Sequence, residues 1–149
     1  MNAFLFPGQG SQKQGMGKDL YDHFPKARAV FEDANDILGN RFSDFLFNAK
    51  EDVLMDTRYT QMGVFIYEVA AALGQDFVKP DCTAGHSLGE YAALVIAGSL
   101  SFEETMRFIK KRGEVFYEAF QKHPSAMGAI IGMSEEKVLD VLKMVGDED

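Results

Sequence analysis

The sequence predicts an α/β protein with an at least partly parallel sheet, on three observations. Short apolar runs at residues 3–6, around Cys82 and at 126–132 stop at glycine or proline, and they have the length of buried strands. Longer segments between them repeat apolar residues at helical spacing. The two kinds alternate as strand, helices, strand, helix, helix, strand, helix, and helical crossovers of that kind join parallel strands. At 149 residues, 46% hydrophobic and 12% aromatic, the chain has the size of one ordinary domain and can bury a core.

Each element has its own signal. The run Ala3 to Phe6 ends at Pro7-Gly8 and reads as a buried strand entering a glycine turn. Gly8 to Gln12 is a polar loop, which Gly15 and Gly17 prolong. From Pro25, the residues Ala27, Val30, Phe31, Ala34, Ile37 and Leu38 recur as one helical face, with Pro25 in the first turn and Gly39 at the stop. A second helix from about Thr60 to Leu73 places Met62, Phe65, Ile66, Val69, Ala70 and Leu73 together and ends at Gly74. Then come a strand at Cys82, a turn at Gly85 to Ser87, and a helix from Leu88 with Tyr91, Ala92 and Val95 on one stripe. Ser101 and Glu104 form a capping box for a helix to about Phe120. A strand at 126–132 and a last amphipathic helix, capped by Ser134 and carrying Val138, Val141, Leu142 and Val145, complete the order.

The bulk chemistry excludes several classes. A net charge of −8 disfavours nucleic acid and anionic membranes, both polyanions. The first residues lack a basic segment and a long apolar run, so neither a signal peptide nor a membrane span is expected, and the protein reads as soluble and cytoplasmic. One cysteine, Cys82, excludes an internal disulfide and reads as a buried structural thiol. Three scattered histidines with that cysteine have no metal-ligand spacing, so no metal is expected.

The chemistry-bearing stretch is Gly85-His86-Ser87-Leu88-Gly89. Gly-x-Ser-x-Gly between a strand and a helix is the nucleophile-elbow pattern, in which a tight turn exposes the serine hydroxyl at a helix N-terminus. The Leu88 N–H is then the natural donor to an oxyanion. At average glycine usage a chain this long matches the pattern by chance roughly one time in twenty. A plain strand-to-helix turn with Ser87 as cap is the alternative.

The flanking residues are more specific. Phe6-Pro7-Gly8-Gln9-Gly10-Ser11-Gln12, Gly85 to Ala93 and Lys111-Arg112-Gly113, with Asp56-Thr57-Arg58-Tyr59-Thr60-Gln61 between them, together resemble the malonyl-CoA:acyl-carrier-protein transacylases. The motifs keep the family's order along essentially the whole chain. The resemblance implies an α/β-hydrolase-like acyltransferase core over residues 1–124 and the first strand and helix of a ferredoxin-like subdomain over 125–149. It also implies malonyl transfer in fatty-acid biosynthesis, from malonyl-CoA to the phosphopantetheine thiol of acyl carrier protein. On the matching positions, Ser87 is the nucleophile, Gln9 and Leu88 give the oxyanion hole through their N–H groups, His86 is a supporting active-site residue, and Arg112 with Gln61 binds substrate. Coenzyme A enters as a thioester substrate, and no cofactor is implied. Phosphate cradling by the Gly8 loop is a poor reading, since it lacks a Gly-Lys-Ser/Thr ending.

One departure stands out. The family's base is a histidine well downstream of the serine, and His23, His86 and His123 do not match it. Family members are also longer, so the chain reads as a shortened, nucleophile-bearing part with little turnover of its own. Met1 directly ahead of the first strand favours a free-standing protein over an excised synthase domain. The alternatives are a polyketide-type acyltransferase with another extender, a serine hydrolase or thioesterase, and a non-catalytic module. Arg107, Lys110 and Lys111 are a candidate carrier-docking patch, with a solvated helix face as the ordinary alternative.

Overall fold

In the computed structural model, which describes residues 1–75, 78–125 and 130–145, β1 (Ala3–Phe6) and β2 (Cys82–Gly85) pair in parallel, with Ala3 opposite Cys82 and Phe6 opposite Gly85. The ladder continues past both ends: Asp81 N–H donates to Asn2 O (2.8 Å) and His86 N–H to Phe6 O (2.9 Å). Parallel pairing requires a crossover, and the intervening chain supplies helices: α1 (Lys18–His23), α2 (Pro25–Leu38), α3 (Phe42–Asn48), α4 (Glu51–Leu54) and α5 (Thr57–Gly74). After β2 follow α6 (Gly89–Ile96), α7 (Phe102–Lys122) and α8 (Glu135–Val145).

Local signals set the helix ends. Pro25 occupies the first turn of α2, and Gly39 closes it in the left-handed region at φ 70°. Asp56 caps α5 by accepting from Arg58 N–H at 2.9 Å. The Ser101 hydroxyl accepts from Glu104 N–H (3.2 Å) and donates to the Glu104 carboxylate (2.6 Å), so Ser101 caps α7 as expected, with Glu104 bonded to the capping hydroxyl.

Helix α5 is the centre of the fold. It buries residues on nearly every side, from Thr60 to Ala70, because α2, α6 and α7 all pack against it. The expected single stripe is therefore too narrow, and Leu73, assigned to it, is 46% exposed. Phe65 of α5 stacks on Phe102 of α7 at 5.5 Å, and a second aromatic group joins Tyr21, Phe31 and Phe47.

Further expectations change. The first two expected strands form, yet only Phe6 of β1 is buried, and Leu5 is 75% exposed. Cys82 is exposed, not a buried structural thiol. The reason is shared: among the described residues α6 is the helix that packs closely on the two strands, so their opposite face lacks a comparable covering layer. The loop expected from Gly8 through Gly17 ends where α1 begins at Lys18, and α3 and α4 were not anticipated. Part of the third expected strand, residues 126–129, lies outside the described residues, and Ile130 to Ser134 is irregular.

Candidate active site

The turn between β2 and α6 carries its strain at one residue. Ser87 has φ 54° and is the only non-glycine residue among those described with positive φ. That conformation costs of order 1 kcal/mol for a residue with a Cβ, so the surroundings must impose it. They do so through the two glycines. A Cβ on Gly85 would stand 2.1 Å from Gly89 C, and one on Gly89 would stand 2.2 Å from Phe6 O. The start of α6 thus sits directly on the ends of both strands. Gly89 N–H donates to His86 O (3.0 Å) and Glu90 N–H to Ser87 O (3.3 Å), closing the elbow. Leu88 is wholly buried beneath it, which anchors the turn while Ser87 stays exposed.

The polar loop after β1 lies against this elbow, since a Cβ on Gly8 would be 3.5 Å from Ser87 Cβ. The loop is held by its own side chains: Ser11 Oγ donates to Gly8 O (2.9 Å), and Gly10 N–H donates to Gln12 Oε1 (2.8 Å). The same loop carries Gln9, the oxyanion donor that the resemblance implies. His86 lies on the loop side, with Nδ1 3.1 Å from the same Gly8 Cβ position. Its ring therefore lies close against the loop.

Gln9, Gly10, Gln12, His86, Ser87 and Arg112 share a cavity of about 740 Å³ with Met55, Asp56, Thr57, Phe116, Tyr117 and Phe120. Arg112 reaches it from α7, which crosses α5 closely at Gly113, where a Cβ would be 3.0 Å from Arg58 Cα. The guanidinium lies 4.3 Å from the Phe116 ring centroid and donates through Nη1 to Gln61 Oε1. Gln61, fully buried, lies outside the cavity wall, behind Arg112. Its Nε2 donates to Thr57 Oγ1 (2.8 Å), and that hydroxyl lies 3.2 Å from Gln9 Oε1, to which it donates. Asp56 and Arg58 form a second fixed pair at the wall, with Nη2 to Oδ2 at 2.5 Å and the guanidinium 3.6 Å from the Tyr117 centroid. Hydrogen bonding to Arg58 holds the Asp56 carboxyl below its ordinary value.

Of the expected residues, the structure brings Ser87, Gln9, His86 and Arg112 to one cavity, with Leu88 and Gln61 immediately behind. His23 and His123 are exposed and take no part in the cavity lining. Arg107 and Lys111 pair along α7 with Glu103 (2.9 Å) and Glu114 (3.3 Å), which offsets most of the basic patch. Thr57, Phe116 and Phe120 were not singled out in the sequence; Thr57 stood inside a quoted motif, and the phenylalanines gave only a helix-face signal. Glu68 was missed as well. It is 4% exposed, its carboxylate oxygens lack a hydrogen-bond partner, and burial pushes its pKa up to about 8. No group of three or more metal-ligating side chains occurs among the described residues, and none of their helices is long and apolar enough to cross a membrane.

A strained serine on a strand-to-helix turn, facing a polar loop, is the elbow geometry of α/β serine acyl-transfer and hydrolytic proteins. Residues 3–145 match the family described as Acyl transferase domain, and the chain belongs to that family. It is 42% identical to the malonyl CoA-acyl carrier protein transacylase of Bacillus subtilis over 98% of this chain and 47% of that one. Among solved structures, the malonyl-CoA:acyl carrier protein transacylase of Helicobacter pylori superposes with a TM-score of 0.82 at 33% identity, covering 97% of this chain and 48% of the other. A malonyl-transacylase solved with its type II polyketide synthase acyl-carrier protein gives the same TM-score at 36% identity, over 97% and 48%. The chain spans about half the length of the curated relatives it matches.

Proposed function

We propose that this chain carries the nucleophile half of a malonyl-CoA:acyl-carrier-protein transacylase site, with Ser87 as the residue that becomes acylated. The observation that carries the reading is Arg112 in the same cavity as the strained Ser87. A guanidinium already oriented by Gln61 suits an acyl group ending in a free carboxylate, which it can grip with two parallel N–H bonds.

In the first half-reaction, Ser87 Oγ attacks the thioester carbonyl carbon and its proton passes to a base. The Gln9 and Leu88 N–H groups stabilise the resulting oxyanion. Collapse breaks the carbon–sulfur bond, the sulfur takes the proton, and coenzyme A leaves as a thiol. The carrier's phosphopantetheine thiol then attacks the serine ester through a second oxyanion, and its proton returns to Ser87 Oγ. Coenzyme A is a substrate throughout, and the reading needs no resident cofactor or metal. The family base has no counterpart among His23, His86 and His123. General-base help is worth about a hundred- to ten-thousandfold, so this chain alone is expected to acylate slowly and turn over poorly.

The test is intact mass after exposure to malonyl-CoA, followed by peptide mapping. One malonyl group on Ser87, absent in Ser87→Ala, is expected, with Arg112→Ala losing the preference for malonyl over acetyl donors. An unmodified Ser87 in a folded sample would sink the reading. Coenzyme A release that ignores added carrier would instead favour a thioesterase.

A further inference from the structure

Four side chains form one unidirectional hydrogen-bond chain across the cavity wall. Arg112 donates to Gln61, Gln61 donates to Thr57, and Thr57 donates to Gln9. Every donor points the same way, away from the fixed positive charge. Aligned hydrogen bonds of this kind polarise one another, so a change at one end is felt at the other. The ends are far apart in the chain: the Thr57–Gln9 link spans 48 residues and the Arg112–Gln61 link 51. They also have different chemistry. One end is the cation placed to meet an acyl carboxylate, and the other is the side chain of the loop residue beside Ser87.

We propose that Thr57 is a positioning residue that ties the placement of the Gln9 loop to the occupancy of Arg112. The inference rests on the proposed roles of Arg112 and Gln9. Thr57 sits in the first turn of α5, right after the Asp56 cap, so its backbone is held independently of either neighbour. Its hydroxyl is the one atom that accepts from Gln61 and donates to Gln9, and no carbon side chain can do both. A carboxylate on Arg112 draws on the guanidinium's remaining donors and changes the bond to Gln61. Thr57 passes that change to Gln9. Selection for an acid-bearing acyl group is thereby expressed in the oxyanion loop, not only in binding.

The experiment uses the full chain with Thr57→Val, Thr57→Ser, Arg112→Ala and the Thr57→Val/Arg112→Ala double variant. In single-turnover acylation of Ser87, Thr57→Val is expected to lower the malonyl-to-acetyl rate ratio about tenfold, the scale of one hydrogen bond. Thr57→Ser should keep the ratio within about twofold. The double variant should fall no further than Arg112→Ala, since residues in one network are not additive. Equal losses on both donors, or additive losses, would overturn the proposal in favour of a merely structural threonine. A second readout needs no turnover: titrating free malonate while following NMR signals. In the wild type, the Arg112 side-chain and Gln9 amide signals should both shift, whereas in Thr57→Val only Arg112 should respond. A Gln9 response that survives Thr57→Val, or no Gln9 response in the wild type, refutes the coupling. Failure of Ser87 acylation with the malonate response intact counts against the proposed reaction alone.

Discussion

The elbow and the C-terminal helix answer opposite rules. Around Ser87, backbone touches backbone: Gly85 and Gly89 leave no room for a methyl group, and a strained φ is held in place by the layers on either side. Helix α8 has as clear a sequence pattern, yet it buries none of its residues. Its apolar side remains in contact with solvent, with Leu139 48%, Leu142 61% and Met144 84% exposed. Phe116 and Phe120 at the end of α7 are about half exposed too. The contrast teaches that amphipathic periodicity specifies a helix but not its partner. Close packing specifies geometry only where the chain itself supplies both sides of the contact.

The sharpest way to break that contrast is at the elbow. Gly85→Ala or Gly89→Ala forces a Cβ into backbone atoms that cannot move aside, and a loss of about 3 kcal/mol or more, or failure to fold, is expected in urea unfolding. A loss below about 1 kcal/mol at both positions would show that the turn is not held as described.

Glu68 gives the next effect and carries a definite sign. Its pKa is raised from 4.5 to about 8 in the folded chain, so the folded state keeps a proton that the unfolded state has released. Stability therefore falls as pH rises from about 4.5 to about 8, by on the order of 3–5 kcal/mol, and levels off above that. Asp56, Asp22 and Glu32 act in the other direction, but their folded values lie below the ordinary ones, so their contribution is lost only under acid conditions. Between pH 5 and 8, Glu68→Gln should flatten the slope of the unfolding midpoint. An unchanged slope would rule Glu68 out as its source.

The smallest effect belongs to α8. Leu142→Lys removes an exposed apolar group that contacts little, so the melting curve should shift by less than about 0.5 kcal/mol, and light scattering should show less self-association. A cost of 2 kcal/mol would mean that this face is packed after all.

Much of the fold was legible because its signals are local. Pro25 and Gly39 bracket α2, Ser101 with Glu104 starts α7, and the elbow needs only five consecutive residues with glycine at each end. The short helices α3 and α4 were not, because so few residues complete too few turns to show a period. Cys82 was misjudged for a related reason. An apolar run shows that a strand suits burial, but whether a layer covers it depends on residues elsewhere.

By itself, the sequence determined the alternation of strands and helices, the caps, and a serine that must sit on a strained turn, since each depends on neighbours within a few positions. Only the tertiary structure decided that Arg112 leans on Gln61, that Thr57 joins Gln61 to Gln9, and that the unpaired Glu68 carboxylate is buried. The Arg112–Gln61 and Thr57–Gln9 links come from α7 and the Gly8 loop each meeting α5 about fifty residues away along the chain, where no periodicity reaches and side-chain contact alone sets the partners.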